Sequence, residues 1–151
     1  LKDLYKTMTM AQCIIYCNSI RRVGWLYTQL TADGFAVSCI HGDMDKVERD
    51  RSFQEFKTGG SRILISSNIT ARGIDIQQVS IVINYDIPSD ISSYLHRIGR
   101  SGRWGRKGVG INFVTKFDVR SIITGTNYDM ISTDGDYFLG SVPVNLIPFV
   151  L

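Results

Sequence analysis

Short apolar runs alternate along this chain with segments in which apolar residues recur at helical spacing. The apolar runs predict five strands, at residues 11–17, 36–40, 62–66, 80–85 and 109–114. Two of the intervening segments carry apolar residues at positions i, i+3, i+4 and i+7, first Val23, Leu26, Tyr27 and Leu30, then Ile91, Tyr94, Leu95 and Ile98. This spacing predicts helices that each bury one face.

Residues with capping chemistry mark the ends of the helices. Asn18 or Ser19 precedes the first apolar stripe and is suited to an N-cap. Asp45 and Glu48 have capping-box spacing, which predicts the start of a second helix that Gly59 and the glycine after it bring to an end. The third helix is predicted to begin near residue 89.

Strands that alternate with helices of this length need crossover connections, which predicts an α/β fold with a parallel sheet flanked by helices on both faces. A chain of 151 residues with 44% hydrophobic residues is long enough for one globular domain, so we expect a single domain over residues 1–151. A short helix is predicted at 117–124. Residues 125–151 form the least regular part of the pattern.

The cysteines and histidines predict neither disulfides nor a metal site. Cys13, Cys17 and Cys39 are odd in number, lie in apolar runs and lack metal-type spacing, so we expect core thiols in a reducing compartment. His41 and His96 are far apart in the sequence. No apolar stretch approaches the length of about 18 residues that suggests a membrane helix, so we expect no membrane partner.

The positive charge of the chain is concentrated in one segment. The formal net charge is +3, yet residues 96–107 hold five basic residues and no acidic one, so the rest of the chain is net negative. Guanidinium forks bind phosphate oxygens bidentately, and glycines between them allow a close backbone approach. The segment therefore indicates a phosphate-containing ligand, although a solvated basic helix end is a plainer alternative.

Residues 96–103 read His-Arg-Ile-Gly-Arg-Ser-Gly-Arg, which matches completely a signature in the second RecA-like domain of the DEAD-box RNA helicases. Further stretches resemble that family in the same order along the chain, at residues 14–18, 41–43, 48–49, 67–75, 80–86 and 106–115. The resemblance covers about residues 3–120 and is strongest to members that act in translation initiation. It implies a RecA-like fold and a helicase C-terminal domain.

The resemblance implies that the basic segment serves ATP. Arg100 and Arg103 match the arginine fingers of the family, and His96 matches a residue that couples the nucleotide to the partner domain. The residues expected at the nucleotide are Gly73, Asp75 and Arg97. The plainer alternatives are a structural hydrogen-bond donor for His96 and a loop cap for Asp75.

The resemblance assigns RNA-backbone contacts to Asn18, Gly42, Arg49 and Ser67. Three of these follow the carboxyl ends of predicted strands, where backbone N–H groups can bind an anion. Small polar residues there favour phosphate and sugar contacts over base reading. The plainer alternatives are a helix cap for Asn18, a turn for Gly42 and a surface ion pair for Arg49. We expect the arginine fingers to emerge at a different edge from these residues.

Two positions depart from the family pattern in the predicted RNA-binding stretches. Ser67-Asn68 stands where the family usually has Thr-Asp, and Lys46 stands where it usually has Gln. Ser67 keeps a hydroxyl and Lys46 can attract phosphate, whereas Asn68 lacks a charge.

The chain has no phosphate loop of the form G-x-x-x-x-G-K-[ST] and no Asp-Glu-Ala-Asp motif, which the family carries on its first RecA-like domain. We therefore expect a longer parent, an ATP-dependent RNA helicase whose missing first domain binds most of the ATP and Mg²⁺, and an isolated domain without ATPase activity. Its expected partners are single-stranded or locally duplex RNA, the first RecA-like domain and a translation-initiation scaffold protein.

We expect a monomer in the cytoplasm or the nucleus. Alternative functions are a non-catalytic RNA-binding or protein-binding module, or a helicase of messenger export, splicing or DNA unwinding.

Overall fold

The computed structural model describes residues 12–67, 79–101, 108–114, 136–139 and 142–150. Three helices and seven strands follow one another in these ranges. They are β1 (Cys13–Cys17), α1 (Ile20–Ala32), β2 (Val37–Ile40), α2 (Lys46–Lys57), β3 (Ile63–Ser67), β4 (Ile81–Asn84), α3 (Ile91–Ile98), β5 (Gly108–Val114), β6 (Asp136–Leu139) and β7 (Val142–Val150). The five strands predicted from the sequence are all present, with ends shifted by one or two residues.

The strands form one sheet in the order β2-β3-β1-β4-β5-β7-β6. Every neighbouring pair from β2 to β7 is parallel, and only β6 runs antiparallel to its neighbour β7. The predicted α/β fold with a parallel sheet is therefore confirmed.

The tail contains two strands that the sequence pattern did not predict. β7 includes Pro143 and Pro148, and proline cannot donate a hydrogen bond within a ladder, so the local sequence argues against a strand. Pairing with β5 along residues 108–114 places β7 in the sheet. The predicted helix at 117–124 lies outside the described residues.

Apolar side chains on the two faces of the sheet form separate cores. On one face, Val23, Leu26 and Leu30 of α1 pack against residues of β1, β3, β4 and β5. On the other, Phe56 of α2 packs against Tyr16, Leu64 and their neighbours. Because successive side chains of a strand point to opposite faces, a sheet covered on both faces needs the almost continuous apolar strands of this sequence.

The helix ends follow the capping residues. Ser19 accepts a hydrogen bond from the backbone N–H of Arg22 and caps α1, while Asp45 and Glu48 form both hydrogen bonds of a capping box on α2. Gly59 follows α2 with φ of 83°, in the left-handed region that favours glycine. These capping predictions are confirmed, and α3 begins at Ile91 behind the N-cap Asp90.

The cysteines are free and pack as apolar side chains. Cys13 and Cys17 are buried and Cys39 is partly buried. Burial raises the pKa of Cys13 and of Cys17 to about 12, so both thiols stay protonated at neutral pH. No helix in the described part of the chain combines the length and apolar character needed to cross a bilayer.

Replacing Phe56 with alanine is expected to lower the free energy of unfolding by about 3–5 kcal/mol, because the fully buried ring leaves a cavity beneath α2. Trp25→Ala is the matched control, since Trp25 is 55% exposed on α1 and its loss leaves no cavity. Urea unfolding of both variants measures the difference. Equal midpoints for the two variants would contradict the assignment of Phe56 to the core.

Candidate functional site

The carboxyl ends of the parallel strands form one edge of the sheet, and three of the four expected RNA-contact residues lie along it. Asn18 is exposed after β1, Gly42 is partly exposed after β2, and Ser67 is buried at the end of β3. Arg49 lies in α2, and its Nε donates to the backbone oxygen of Asp45 at 3.3 Å instead of to a carboxylate. The structure thus brings the turns to one edge, as the order of strands and helices predicted.

A fully buried arginine occupies the centre of this edge. Arg97, in the last turn of α3, is 0% exposed. Its Nη1 donates to Asn84 Oδ1 at 3.1 Å and to the backbone oxygen of Asp86 at 2.8 Å, and its Nη2 donates to Asn18 Oδ1 at 2.7 Å. One guanidinium therefore connects α3 with residues at the ends of β1 and β4.

The ring of Tyr16 lies against the same guanidinium. The Cζ atom of Arg97 is 5.2 Å from the ring centroid, within the range of a cation–π interaction. Burial raises the pKa of Tyr16 to about 12, although the charges of Arg100 and Arg97 act in the opposite direction. The phenol therefore stays neutral at neutral pH.

Two asparagines extend the network across the sheet. Asn84 and Asn112 are partners in the register of β4 and β5, and Asn84 Nδ2 donates to Asn112 Oδ1 at 2.8 Å. Asn112 Nδ2 donates to the hydroxyl of Tyr94 in α3 at 3.1 Å. Each amide thus has a specific partner in the interior, where an unpaired amide costs about 1–3 kcal/mol.

Asp86 fixes the turn after β1 from the other side. Its Oδ2 accepts the backbone N–H of Asn18 at 2.8 Å, and its Oδ1 accepts a hydrogen bond from Nη1 of Arg22. Asn18 Nδ2 donates to the backbone oxygen of Ile87 at 2.7 Å. The side chain of Asn18 is therefore used in both directions, as acceptor for Arg97 and as donor to the loop after β4.

The expected emergence of Arg100 and Arg103 at a different edge from the RNA-contact residues stays a prediction, because Arg103 lies outside the described residues. Arg97 is hydrogen-bonded to Asn18, and the backbone N–H of Arg100 donates to the backbone oxygen of Arg97 at 3.2 Å. The last turn of α3 therefore lies beside the turn after β1.

The other residues of the expected nucleotide site divide into two groups. His96 is exposed and Arg100 is partly exposed on the last turn of α3 and just beyond it, whereas Arg97 is directed inward. Gly73, Asp75 and Arg103 lie outside the described residues. The ligand roles of all these residues stay predictions.

Five residues of the network, Tyr16, Arg22, Asn84, Asp86 and Asn112, were not singled out from the sequence. A signal for two of them is visible: Asn84 and Asn112 are amides in otherwise apolar strands, where a buried polar side chain needs a partner. Within the described residues, no cluster of histidine, cysteine and carboxylate side chains could hold a metal ion.

Comparison with known proteins gives matches over most of the chain. Residues 1–105 match the family model of the helicase conserved C-terminal domain. The chain is 60% identical over 120 residues to the protein "ATP-dependent RNA helicase eIF4A" of Schizosaccharomyces pombe, in an alignment that covers 80% of this chain and 31% of that protein. It is 58% identical over 120 residues to the protein of the same name from Pyricularia oryzae, covering 80% and 30%. The aligned part of the chain spans about a third of the length of these relatives.

Solved structures of DEAD-box proteins have a similar fold. The C-terminal domain of the DEAD-box protein Dbp5 superposes with a TM-score of 0.75 at 38% identity and covers 97% of this chain and 79% of that chain. Dbp5 of S. cerevisiae bound to RNA and ADP BeF3 has the same TM-score and identity and covers 97% of this chain and 37% of that one.

Replacing Arg97 with methionine is expected to lower the free energy of unfolding by about 3 kcal/mol, because three oxygen atoms lose their hydrogen-bond donor together. Arg97→Lys should recover only part of this loss, since an ammonium group cannot reproduce the planar fork. Arg21→Met, at an exposed position of α1, is the control. Urea midpoints measure the effect, and an unchanged midpoint for Arg97→Met would show that the network contributes nothing to stability.

Proposed function

Because this chain belongs to the helicase C-terminal domain family, within its DEAD-box branch, we propose that it is the second RecA-like domain of an ATP-dependent RNA helicase. In this proposal the domain holds RNA by its backbone and supplies arginines to ATP bound on a first RecA-like domain. The parent protein would close these two domains around both ligands and reopen them after hydrolysis.

The hydrogen bond between Arg97 and Asn18 is the observation that carries the proposed mechanism. It connects the turn expected to face RNA with the helix that leads into the expected arginine fingers, over a distance of 2.7 Å. A ligand on the turn and a ligand at the end of α3 would therefore act on the same buried network. Such an arrangement suits an enzyme whose nucleotide and RNA sites respond to each other.

On the RNA side, the proposal uses Asn18, Gly42, Arg49 and Ser67. Glycine and small polar residues at strand ends favour contacts with phosphate and sugar, which carry no base information. Asn18 already uses its side-chain oxygen for Arg97 and its backbone N–H for Asp86, so its part is to hold the turn in shape as well as to face RNA. Binding should therefore depend little on base sequence.

On the nucleotide side, Arg100 and Arg103 would neutralise the charge that develops on the γ-phosphoryl oxygens during hydrolysis. His96 is exposed in the last turn of α3, and Gly73 and Asp75 are the proposed contacts of the nucleoside. Guanidinium donors fit phosphate oxygens, and the described residues offer no carboxylate cluster for Mg²⁺. The proposal therefore assigns the metal mainly to the first domain. Arg97, being buried, would act from beneath by holding α3 in place.

The similarity to the eIF4A proteins favours a role in translation initiation, with single-stranded or locally duplex RNA as substrate. A translation-initiation scaffold protein and the first RecA-like domain would be its protein partners, and the cytoplasm its compartment. Identity is 60% over 120 residues to the fission yeast eIF4A helicase but 38% to Dbp5, which supports this role over that of the Dbp5 proteins.

A chimera tests the proposal, in which this chain replaces the matching 120-residue segment of the Schizosaccharomyces pombe protein. In it, Arg100→Ala and Arg103→Ala should each lower RNA-stimulated ATP turnover by about 10³-fold or more, since a finger acts on charge present only in the transition state. RNA affinity of the open enzyme should change less than about twofold, because ground-state contacts do not involve the finger. Single-turnover hydrolysis and RNA titration separate the two effects.

Arg49→Ala serves as the contrasting variant in the same chimera. It should weaken RNA binding and leave hydrolysis at saturating RNA largely intact. If Arg100→Ala left hydrolysis intact and abolished RNA binding, the basic segment would be a nucleic-acid-binding patch. That result would contradict the proposed division of roles.

A further inference from the structure

An ion pair lies beside the turn after β1. Arg22, in the first turn of α1, donates through Nη1 to Oδ1 of Asp86, which follows β4. The two partners differ in exposure: the side chain of Arg22 is 52% exposed and that of Asp86 only 11%. The guanidinium therefore reaches solvent beside Asn18, while the carboxylate lies beneath it.

The carboxylate is held firmly and the guanidinium is not. The backbone of Asp86 is fixed because its N–H donates to the Tyr16 oxygen at 3.3 Å and its oxygen accepts from Arg97 at 2.8 Å. Its Oδ2 also accepts the Asn18 N–H at 2.8 Å. Within the described part of the chain, the exposed end of Arg22 has no comparable restraint. Ion pairs with one well-solvated partner are weak. Of the two groups, Arg22 is the one that can exchange its partner.

The two hydrogen-bond donors that contact the Asp86 carboxylate are of the kinds that also bind a phosphate. A guanidinium and a backbone N–H bind two carboxylate oxygens here, and the same pair of donors binds two oxygens of a phosphodiester. The hydrogen bond and charge of Asp86 raise the pKa of Arg22, so the guanidinium is positively charged at any working pH. Asp86 thus cancels a charge on the turn that is expected to face RNA.

We propose that Arg22 is a further binding residue for an RNA phosphate and that Asp86 limits its availability by competing for the same guanidinium. The inference rests on the proposed function, in that the turn after β1 faces RNA. When RNA arrives, Arg22 turns from the carboxylate to the phosphate, and Asp86 keeps its hydrogen bond with the Asn18 N–H. Asp86 therefore lowers RNA affinity. If Asp86 only held the turn in shape, it would raise RNA affinity instead.

Titration of a fluorescein-labelled oligouridylate with this 151-residue chain, followed by fluorescence anisotropy at several salt concentrations, tests the proposal. Asp86→Asn should tighten binding several-fold and steepen the slope of log K against log salt by about 0.7, the value for one additional phosphate contact on a single strand. The substitution preserves shape and leaves the backbone contact with Arg97 in place. In an Arg22→Gln background, Asp86→Asn should change affinity little, because the guanidinium it would release is absent.

Asp33→Asn is the matched control, since it removes the same charge at the opposite end of α1. An equal gain in Asp33→Asn and Asp86→Asn would mean a general charge effect and overturn the proposal. Weaker RNA binding or an unchanged salt slope in Asp86→Asn would also overturn the proposal about Arg22. If the wild-type chain still binds RNA in that experiment, the proposed RNA function is not contradicted. If neither wild type nor Asp86→Asn binds the oligouridylate at the lowest salt, both the inference and the proposed RNA function fail.

Discussion

The buried guanidinium of Arg97 is the interaction on which this edge of the fold depends. A charge withdrawn from water is tolerated only when its hydrogen bonds are satisfied and a compensating group lies nearby. Here three oxygen atoms accept from it, the ring of Tyr16 covers it, and the carboxylate of Asp86 lies within the same cluster. Because the acceptors come from different segments, the burial of this one side chain fixes their relative positions.

The network also explains how so short a helix is held in place. An isolated helix of eight residues is not stable in water, so α3 depends on tertiary contacts. Tyr94 and Ile98 are buried, and the hydroxyl of Tyr94 accepts from Asn112 in β5. With Arg97, these contacts anchor both turns of α3. They therefore also fix the position of Arg100, which follows the helix. A function that requires arginines at a defined place would gain from this anchoring.

The amino-acid sequence predicts the parallel sheet, the helices on both faces and the caps at Ser19 and Asp45, because these features depend on local periodicity and local hydrogen bonds. It does not predict β7, whose prolines argue against a strand and whose place comes from pairing with β5. Nor does it predict that Asn18 and Arg97 meet, since the two residues are 79 positions apart in the sequence. Their contact depends on the lengths of the loop after β4 and of α3, which local patterns do not determine. Antiparallel direction alone suggests that the end of α3 lies away from the turn after β1, whereas Arg97 is hydrogen-bonded to Asn18.

Native-state hydrogen exchange in an Asn18→Ala variant tests the central claim most directly, because the substitution removes one acceptor of Arg97 from the turn without altering α3. The backbone N–H groups of Gly99 and Ser101 donate to Leu95 and Ile98 at 2.9 and 3.0 Å, and Thr58 at the end of α2 donates to Gln54 at 2.9 Å. If one buried network holds the turn and α3 together, protection of Gly99 and Ser101 should fall by about tenfold, the equivalent of one hydrogen bond, while Thr58 is unchanged. Unchanged protection at Gly99 and Ser101 would contradict the account.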